Sequence, residues 1–433
     1  MRIRWVNHAS FIVDTGKIKL LTDPWIVGTA FNDGWKLLAP TVATEEDFAE
    51  ITHIWFSHEH PDHFHPPSIK HFKPMLKPGV EVLFQETKDH RVAAYCKAQG
   101  FTVHELADGV PFELDSETTF TVGQVPFYDS WFYLKSGDRS ILNLNDCVIE
   151  NAKDAEKVKA LCGHADVLMA QFGYANWEGN PNEVERQKEA AAEKLERIGT
   201  FIDVFKPAHI IPFASFIRFS HEENAYLNDH NTGFRETISF IEDHGGAQPV
   251  MLKPGDEWDC ESPVDNEAAI SFYEDAAAAA EKEKLLVSKT VPLAEIEETA
   301  HAYRERIRKK NNTYFVRLAE LLGFFKTVTF WIKDLETAVS FSHVKGLKMI
   351  DGGAHDCDVS LSSDSLAFLF RNEFGFDTLL VNGRFRASED VEKNLFKTFG
   401  IGSLNNAGKS LSFSLVLDLA LWWRVFSKAG LDL

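Results

Sequence analysis

The chain has 433 residues, 44% of them hydrophobic and 25% charged, which is ordinary for a soluble globular protein and too long for one compact core. Its formal net charge of −20 argues against nucleic acid as a partner, because an acidic surface repels phosphate backbones. The five cysteines are scattered and odd in number, so we expect no disulfide framework, and a reducing cytoplasm fits best.

The first 260 residues alternate short apolar, β-like runs with helical stretches. Such runs occupy 3–6, 10–13, 18–21, 51–56, 119–122 and 141–144. A long helix is predicted from about 183 to 205, because this stretch is rich in Ala, Glu, Lys and Arg and ends before Lys206-Pro207. Strands mixed with helices over this length predict helices layered on sheets, in an α/β domain over residues 1–260.

The most informative motif follows the apolar run 51–56. It reads H-x-H-x-D-H and comprises His58, His60, Asp62 and His63. Neutral imidazole and carboxylate are ligands that zinc, iron and manganese accept. A strand that ends at Ser57, followed by a tight loop, would let His58 and His60 bind one ion and Asp62 and His63 a second.

The composition changes after Trp258. Residues 261–310 contain an Ala-rich run and a basic stretch, 304–310, that continues a helix from about Leu293, so we predict a helical connector. Residues 311–433 are predicted to form a smaller α+β domain, with β-like runs at 349–350, 359–361 and 378–381. The late apolar segment 411–426 contains Asp418 and is too short to span a bilayer. We therefore expect a buried or docking helix there and no membrane span.

The H-x-H-x-D-H motif directly after a strand resembles the metallo-β-lactamase fold. That resemblance implies an αββα sandwich with a metal site at one edge, followed here by the smaller α+β domain. The fold hosts hydrolases, glyoxalases, dioxygenases and flavodiiron proteins, so the reaction must be argued from the site.

Further stretches carry a narrower resemblance. They are Asn7-His8-Ala9, residues 22–31, Gly34-Trp35, residues 142–147, residues 212–216, Ser220-His221 and Asn231-Thr232. These stretches are similar to the catalytic domain of the CMP-N-acetylneuraminate hydroxylase family, over residues 1–260 well and over the remainder weakly.

That family also carries a Rieske module, whose centre needs a Cys-x-His pair and a Cys-x-x-His pair. Here Cys162 and His164 have the first spacing, but neither Cys260 nor Cys357 is followed by His at the second. We therefore expect no Rieske centre in this sequence, and a separate ferredoxin or Rieske protein as electron donor.

The resemblance implies the remaining site residues. Where the fold usually places its third and last histidines, Asp129 and His221 are the stand-ins, and Asp146 takes the place of a bridging carboxylate. His8 and Asp23 are expected beside the metals, as outer partners or substrate contacts, and act with Asp62 in catalysis. Carboxylates in place of imidazoles favour iron or manganese over zinc.

Three functions remain open from the sequence. The favoured one is an oxygenase of the hydroxylase type that acts on a small molecule with one or two metal ions, iron before zinc or manganese. The second is a hydrolase of esters, lactones or phosphodiesters that uses a metal-bound hydroxide. The third is a ligand-binding protein, since residues 358–370 and 383–385 faintly resemble sterol-carrier-like modules.

Overall fold

The computed structural model describes residues 1–125, 129–406 and 408–411. The chain divides into two compact units. The first comprises Met1–Ala175, Gln187–Phe219 and Asn228–Lys284, and the second comprises Asn176–Arg186, Ser220–Leu227 and the chain from Leu285 onward. Each unit is therefore built from segments that are distant in sequence.

The strands, in chain order, are β1 (Arg2–Asn7), β2 (Ser10–Asp14), β3 (Lys19–Thr22), β4 (Thr29–Ala30), β5 (Trp35–Leu37), β6 (His53–Trp55), β7 (Glu81–Gln85), β8 (Thr102–Leu106), β9 (Phe112–Glu113), β10 (Thr118–Gln124), β11 (Ser130–Ser136), β12 (Arg139–Asn143), β13 (Val167–Gln171), β14 (His209–Phe213), β15 (Ile217–Phe219), β16 (Gln248–Pro249), β17 (Glu257–Trp258), β18 (Val328–Ile332), β19 (Thr337–Ser342), β20 (Gly346–Met349), β21 (Val359–Leu361) and β22 (Phe385–Ala387).

The α-helices are α1 (Glu45–Ala49), α2 (Pro66–Phe72), α3 (Arg91–Ala98), α4 (Ala152–Cys162), α5 (Val184–Phe205), α6 (Phe234–His244), α7 (Asn266–Ala280), α8 (Leu293–Lys310), α9 (Thr313–Leu321), α10 (Ser363–Arg371), α11 (Gly375–Asn382) and α12 (Glu389–Asn406). The predicted long helix is confirmed as α5. Of the predicted connector 261–310, α7 belongs to the first unit and α8 to the second.

Two seven-stranded sheets form the centre of the first unit, with spatial orders β17-β1-β2-β3-β6-β7-β8 and β16-β14-β13-β12-β11-β10-β9. Their inner faces share one apolar core, in which Trp55 meets Phe132 with ring centroids 4.8 Å apart. Helices α1 to α3 cover the outer face of the first sheet, and α4 to α7 that of the second. The predicted αββα sandwich is therefore confirmed.

The second unit contains a five-stranded sheet with the order β20-β19-β18-β21-β22. Strand β18 runs antiparallel to β19 and parallel to β21. The predicted β-like run 378–381 is wrong, because these residues lie in α11. The likeness to sterol-carrier-like modules stays a prediction.

Among the described residues, no helix combines the length and apolar character that crossing a bilayer requires. Residues 412–426 of the predicted docking helix lie outside the described part of the chain.

Candidate metal centre

The predicted site residues of the first unit collect at one edge of the sandwich. Strands β3, β6 and β7 run parallel, so their carboxyl ends lie side by side. Asp23 follows β3, and the segment from Ser57 to His63 follows β6. Asp146 follows β12 of the second sheet, and His8 lies in the turn between β1 and β2. The sheet architecture therefore brings together residues that are up to 138 positions apart in sequence, as His8 and Asp146 are.

Two groups of side chains have the composition and spacing of a metal site. In the first, Asp62 Oδ2 lies 3.2 Å from His63 Nε2 and 3.4 Å from His8 Nε2. In the second, Asp146 Oδ2 lies 3.7 Å from His63 Nε2 and 3.8 Å from His58 Nε2. Two ligands that each lie about 2.1 Å from one ion in tetrahedral geometry are about 3.4 Å apart. Both groups are close to that spacing.

Several atoms of these groups are buried and have no hydrogen-bond partner among the described residues. They are Nε2 of His58 and His63 and Oδ1 of Asp62 and Asp146. A buried polar atom left unsatisfied costs about 1–3 kcal/mol. A cation held by these atoms would remove that cost, so the residues fit a metal ion.

His63 belongs to both groups but can serve only one ion at a time. Its Nδ1–H donates to Asp23 Oδ2 at 2.8 Å, which leaves a single lone pair on Nε2. A second ion would therefore need a carboxylate that bridges both positions. Asp62 and Asp146 each have a free oxygen for this role. These residues could therefore hold one ion directly, and a second only with such a carboxylate.

The histidines are oriented by partners behind them. Asp23 also accepts hydrogen bonds from the backbone N–H and the hydroxyl of Ser57, both at 2.8 Å. The Ser57 hydroxyl in turn accepts from Nδ1–H of His58 at 2.9 Å. Both imidazoles thus present Nε2 toward the metal groups. His8 and Asp23 adopt left-handed backbone conformations, with φ of 40° and 34°, a strain that commonly accompanies functional sites.

Burial lowers the pKa of a histidine and neighbouring carboxylates raise it, and a different one of these two effects prevails at His58 and at His63. Burial lowers the pKa of His58 well below its ordinary value, so this imidazole is neutral and can bind a metal. Burial would also lower the pKa of His63, but Asp62, Asp146 and Asp23 outweigh it and hold that pKa well above its ordinary value. Metal binding at His63 therefore displaces a proton.

Two predicted ligands lie near these groups without joining them. The His60 ring centroid is 4.4 Å from that of His58, and the His60 side chain is half-buried. Asp129 Oδ1 lies 3.3 Å from Nδ1 of His58, the nitrogen that faces away from the groups, and accepts from the Ser130 N–H. Phe127 and Tyr128, which precede Asp129, lie outside the described residues. Ligand roles for His60 and Asp129 stay predictions.

His221, the predicted last ligand, belongs to the second unit and takes part in a buried polar cluster there. Its Nδ1 lies 3.6 Å from the Glu223 carboxylate. Glu223 also accepts from Arg384 Nε at 3.1 Å and pairs with Lys333 Nζ at 2.6 Å. These contacts account for the burial of His221 without a metal, and its ligand role stays a prediction.

Several polar residues that support the site were not predicted. Gln85 Nε2 and the Ser130 hydroxyl both donate to the carbonyl of Ser57, at 2.9 and 2.6 Å. Asn145 Nδ2 approaches Asp129 Oδ1 at 3.4 Å. Gln85 ends β7, Ser130 begins β11 and Asn145 lies two residues after β12, and this placement at strand ends is the signal that could have identified them.

Comparison with known proteins agrees with this description. Residues 2–191 match the family model described as the β-lactamase superfamily domain. The chain is 24% identical over 253 residues to cytidine monophosphate-N-acetylneuraminic acid hydroxylase of Danio rerio, which covers 53% of this chain and 40% of that protein. The chain thus spans less than half the length of the curated relatives it matches. The predicted resemblance is confirmed.

The chain also matches two solved structures. Igni18, a metallo hydrolase from Ignicoccus hospitalis, is 13% identical with a TM-score of 0.41, over 59% of this chain and 97% of that one. CmlA, a diiron β-hydroxylase from Streptomyces venezuelae, is also 13% identical, with a TM-score of 0.40, over 58% of this chain and 53% of that one.

Proposed function

We propose that this chain, whose residues 2–191 match the β-lactamase superfamily domain, is a metal-dependent hydroxylase that acts on a small-molecule substrate. The observation that carries the proposal is the pair of buried groups that share His63, each of which combines imidazole with one carboxylate. A metalloenzyme of this fold needs such a set, and iron is the ion that we expect in it.

Two features favour hydroxylation. The candidate ligand atoms are imidazole nitrogen and carboxylate oxygen. Carboxylate oxygen is a better ligand for iron or manganese than for metals that prefer thiolate. Cys147, next to Asp146, does not compete, because burial and the charges of Asp129 and Asp146 raise the pKa of its thiol well above the ordinary value. In addition, the curated relatives with 24% identity are named as hydroxylases.

The chemistry divides between the bound iron and the chain. Iron in this site would activate dioxygen, so that one oxygen atom would be inserted into a substrate C–H bond and the other released as water, with two electrons from a separate ferredoxin or Rieske donor and two protons from solvent. Asp23 and Ser57 hold the His63 and His58 rings so that Nε2 of each faces the ion. Trp25, whose ring centroid is 5.7 Å from that of His8, shields that ring on one side.

Hydrolysis is the second candidate. Asp62 Oδ1 is buried and has no hydrogen-bond partner, so it could orient a water molecule for attack on an ester or phosphodiester. Burial would raise the pKa of Asp62, but His63 and His8 outweigh it and keep that pKa well below its ordinary value. Hydrolysis is placed second because the curated relatives are named as hydroxylases.

Metal reconstitution tests the proposal. Metal-free protein is loaded with ferrous iron without oxygen, analysed for iron, and then exposed to dioxygen while its absorption is followed. We expect stoichiometric iron and an absorption change that a Asp62→Ala variant lacks. Preferential zinc binding, no response to dioxygen and turnover of ester or phosphodiester probes would establish the hydrolase instead.

A further inference from the structure

Helix α9 of the second unit is apolar on two opposite sides. Its inner side places Val316 in the core, with Phe315 and Ala319 packed against it. Tyr314, Leu318 and Leu321 lie on its outer side, and Leu322 directly follows the helix. The exposed fractions of these residues are 81%, 46%, 83% and 74%. These four residues, the α9 patch, recur at the spacing of one helical face. A helix that is apolar on both sides is normally a buried one.

The chain returns to the start of this helix just before residue 412. Leu411 is buried, its N–H donates to Asn311 Oδ1 at 2.7 Å, and its carbonyl accepts from the N–H of Asn312 at 3.4 Å. Asn312 is the N-cap of α9. Leu411, which directly precedes 412–433 in sequence, therefore lies beside the N-terminal end of the helix that carries the α9 patch. A nine-residue helix is about 14 Å long, which 412–433 exceeds even at a helical rise of about 1.5 Å per residue.

The sequence of 412–433 matches that patch in character. Between 412 and 426 only Asp418 and Arg424 are charged. Leu415, Leu419, Trp422 and Phe426 recur at the spacing of a helical stripe. Asp418 is opposite in charge to Arg317, an exposed residue of α9.

We propose that residues 412–428 dock on the α9 patch of the same chain and cover Tyr314, Leu318, Leu321 and Leu322. The short path from Leu411 makes the effective concentration of this segment at the patch high, which favours it over a second copy or a lipid surface. The patch is thus an internal docking site, and any partner that binds it must first displace the segment.

Photo-crosslinking tests this in the full chain. The photoreactive amino acid benzoylphenylalanine replaces Tyr314, and an equal mixture of light and isotopically heavy protein is irradiated, digested and analysed by mass spectrometry. The expected product joins position 314 to a peptide from 412–433, in light–light and heavy–heavy pairs only. The same amino acid at Glu298, an exposed position on α8, is the control and should give no such product. Mixed light–heavy pairs would show that a second copy covers the patch, and the absence of any crosslink to 412–433 would likewise overturn the proposal.

A second measurement needs no unnatural residue. The double variant Leu321→Asp, Leu322→Asp should release the segment and raise the rate of tryptic cleavage after Arg424 roughly tenfold, because an undocked segment is open to protease. Leu161→Asp, at a leucine of α4 that is 54% exposed, is the matched control and should leave the rate unchanged. Equal cleavage rates in the double variant and the original chain would contradict docking.

Discussion

Replacing Asp23 by Asn would separate the orientation of His63 from the stability of the sheet edge. Asp23 is fully buried and accepts from Nδ1–H of His63 and from two donors of Ser57, each at 2.8 Å. The amide of Asn keeps one acceptor and turns a donor toward Nδ1. His63 then carries its proton on Nε2, where the metal should bind. We expect metal affinity to fall about 10- to 100-fold, or roughly 1.4–2.7 kcal/mol.

Asp23→Ala should act mainly on folding instead. It leaves three buried donors without an acceptor, at about 1–3 kcal/mol each, so the free energy of unfolding should fall by about 3 kcal/mol or more. The left-handed φ of 34° adds to the loss, because Asn and Asp tolerate that region better than Ala.

The assays are calorimetric titration of metal-free protein with metal and urea unfolding of the same samples. Asp14→Asn is the matched control, since Asp14 lies on β2 of the same sheet, accepts from the Gly16 N–H of an exposed turn and pairs with Lys19 Nζ at 3.5 Å. A metal affinity of Asp23→Asn within about twofold of that of the unsubstituted chain would show that Asp23 does not set the tautomer of His63.

Three further outcomes are expected. Asp62→Ala should lower the metal bound per chain, measured by elemental analysis after gel filtration, because it empties one group of its carboxylate. Burial would raise the pKa of Glu223, but the charges of Lys333 and Arg384 outweigh burial and lower this pKa from 4.5 to about 2. The resulting stability is complete above pH 4.5 and is lost as the pH falls toward 2. Glu223→Gln should therefore reduce the free energy of unfolding by about 3 kcal/mol at neutral pH, and the difference between the variant and the original chain should disappear in acid. A difference that does not depend on pH would contradict this. Phe132→Ala, in the core between the sheets, should cost about 3–5 kcal/mol in urea unfolding, and a loss below about 1 kcal/mol would show that this core is loosely packed.

The sequence alone was enough to propose the centre of the candidate site, because its chemistry is local. His58, Asp62 and His63 stand within six positions of one another after a strand, and no ordinary loop has that composition. His8 and Asp146 were expected nearby only through resemblance, and the structure places both in the metal groups. The role of Ser57 as a link between Asp23 and His58 depends on how two loops meet, which no short window of sequence contains.

Elsewhere local patterns were insufficient. Thr378 to Val381 is a short apolar run with β-branched ends, and such a run does not distinguish a strand from a buried helix. This run lies in α11, and its packing against the core of the second unit determines that it is a helix. His221 was assigned by its position in a fold-wide pattern, but its neighbours are Glu223 and Ser288 of the second unit. That partnership joins segments 67 positions apart and follows from tertiary structure alone.

The most direct test is anomalous X-ray diffraction from crystals of iron-loaded protein, measured at the iron edge. We expect an anomalous peak in bonding contact with Nε2 of His63 and with Asp62 or Asp146, and a second peak beside it when both positions are filled. Protein that contains iron but gives no peak within about 3 Å of His63 Nε2 would contradict the central claim that these residues form the metal centre.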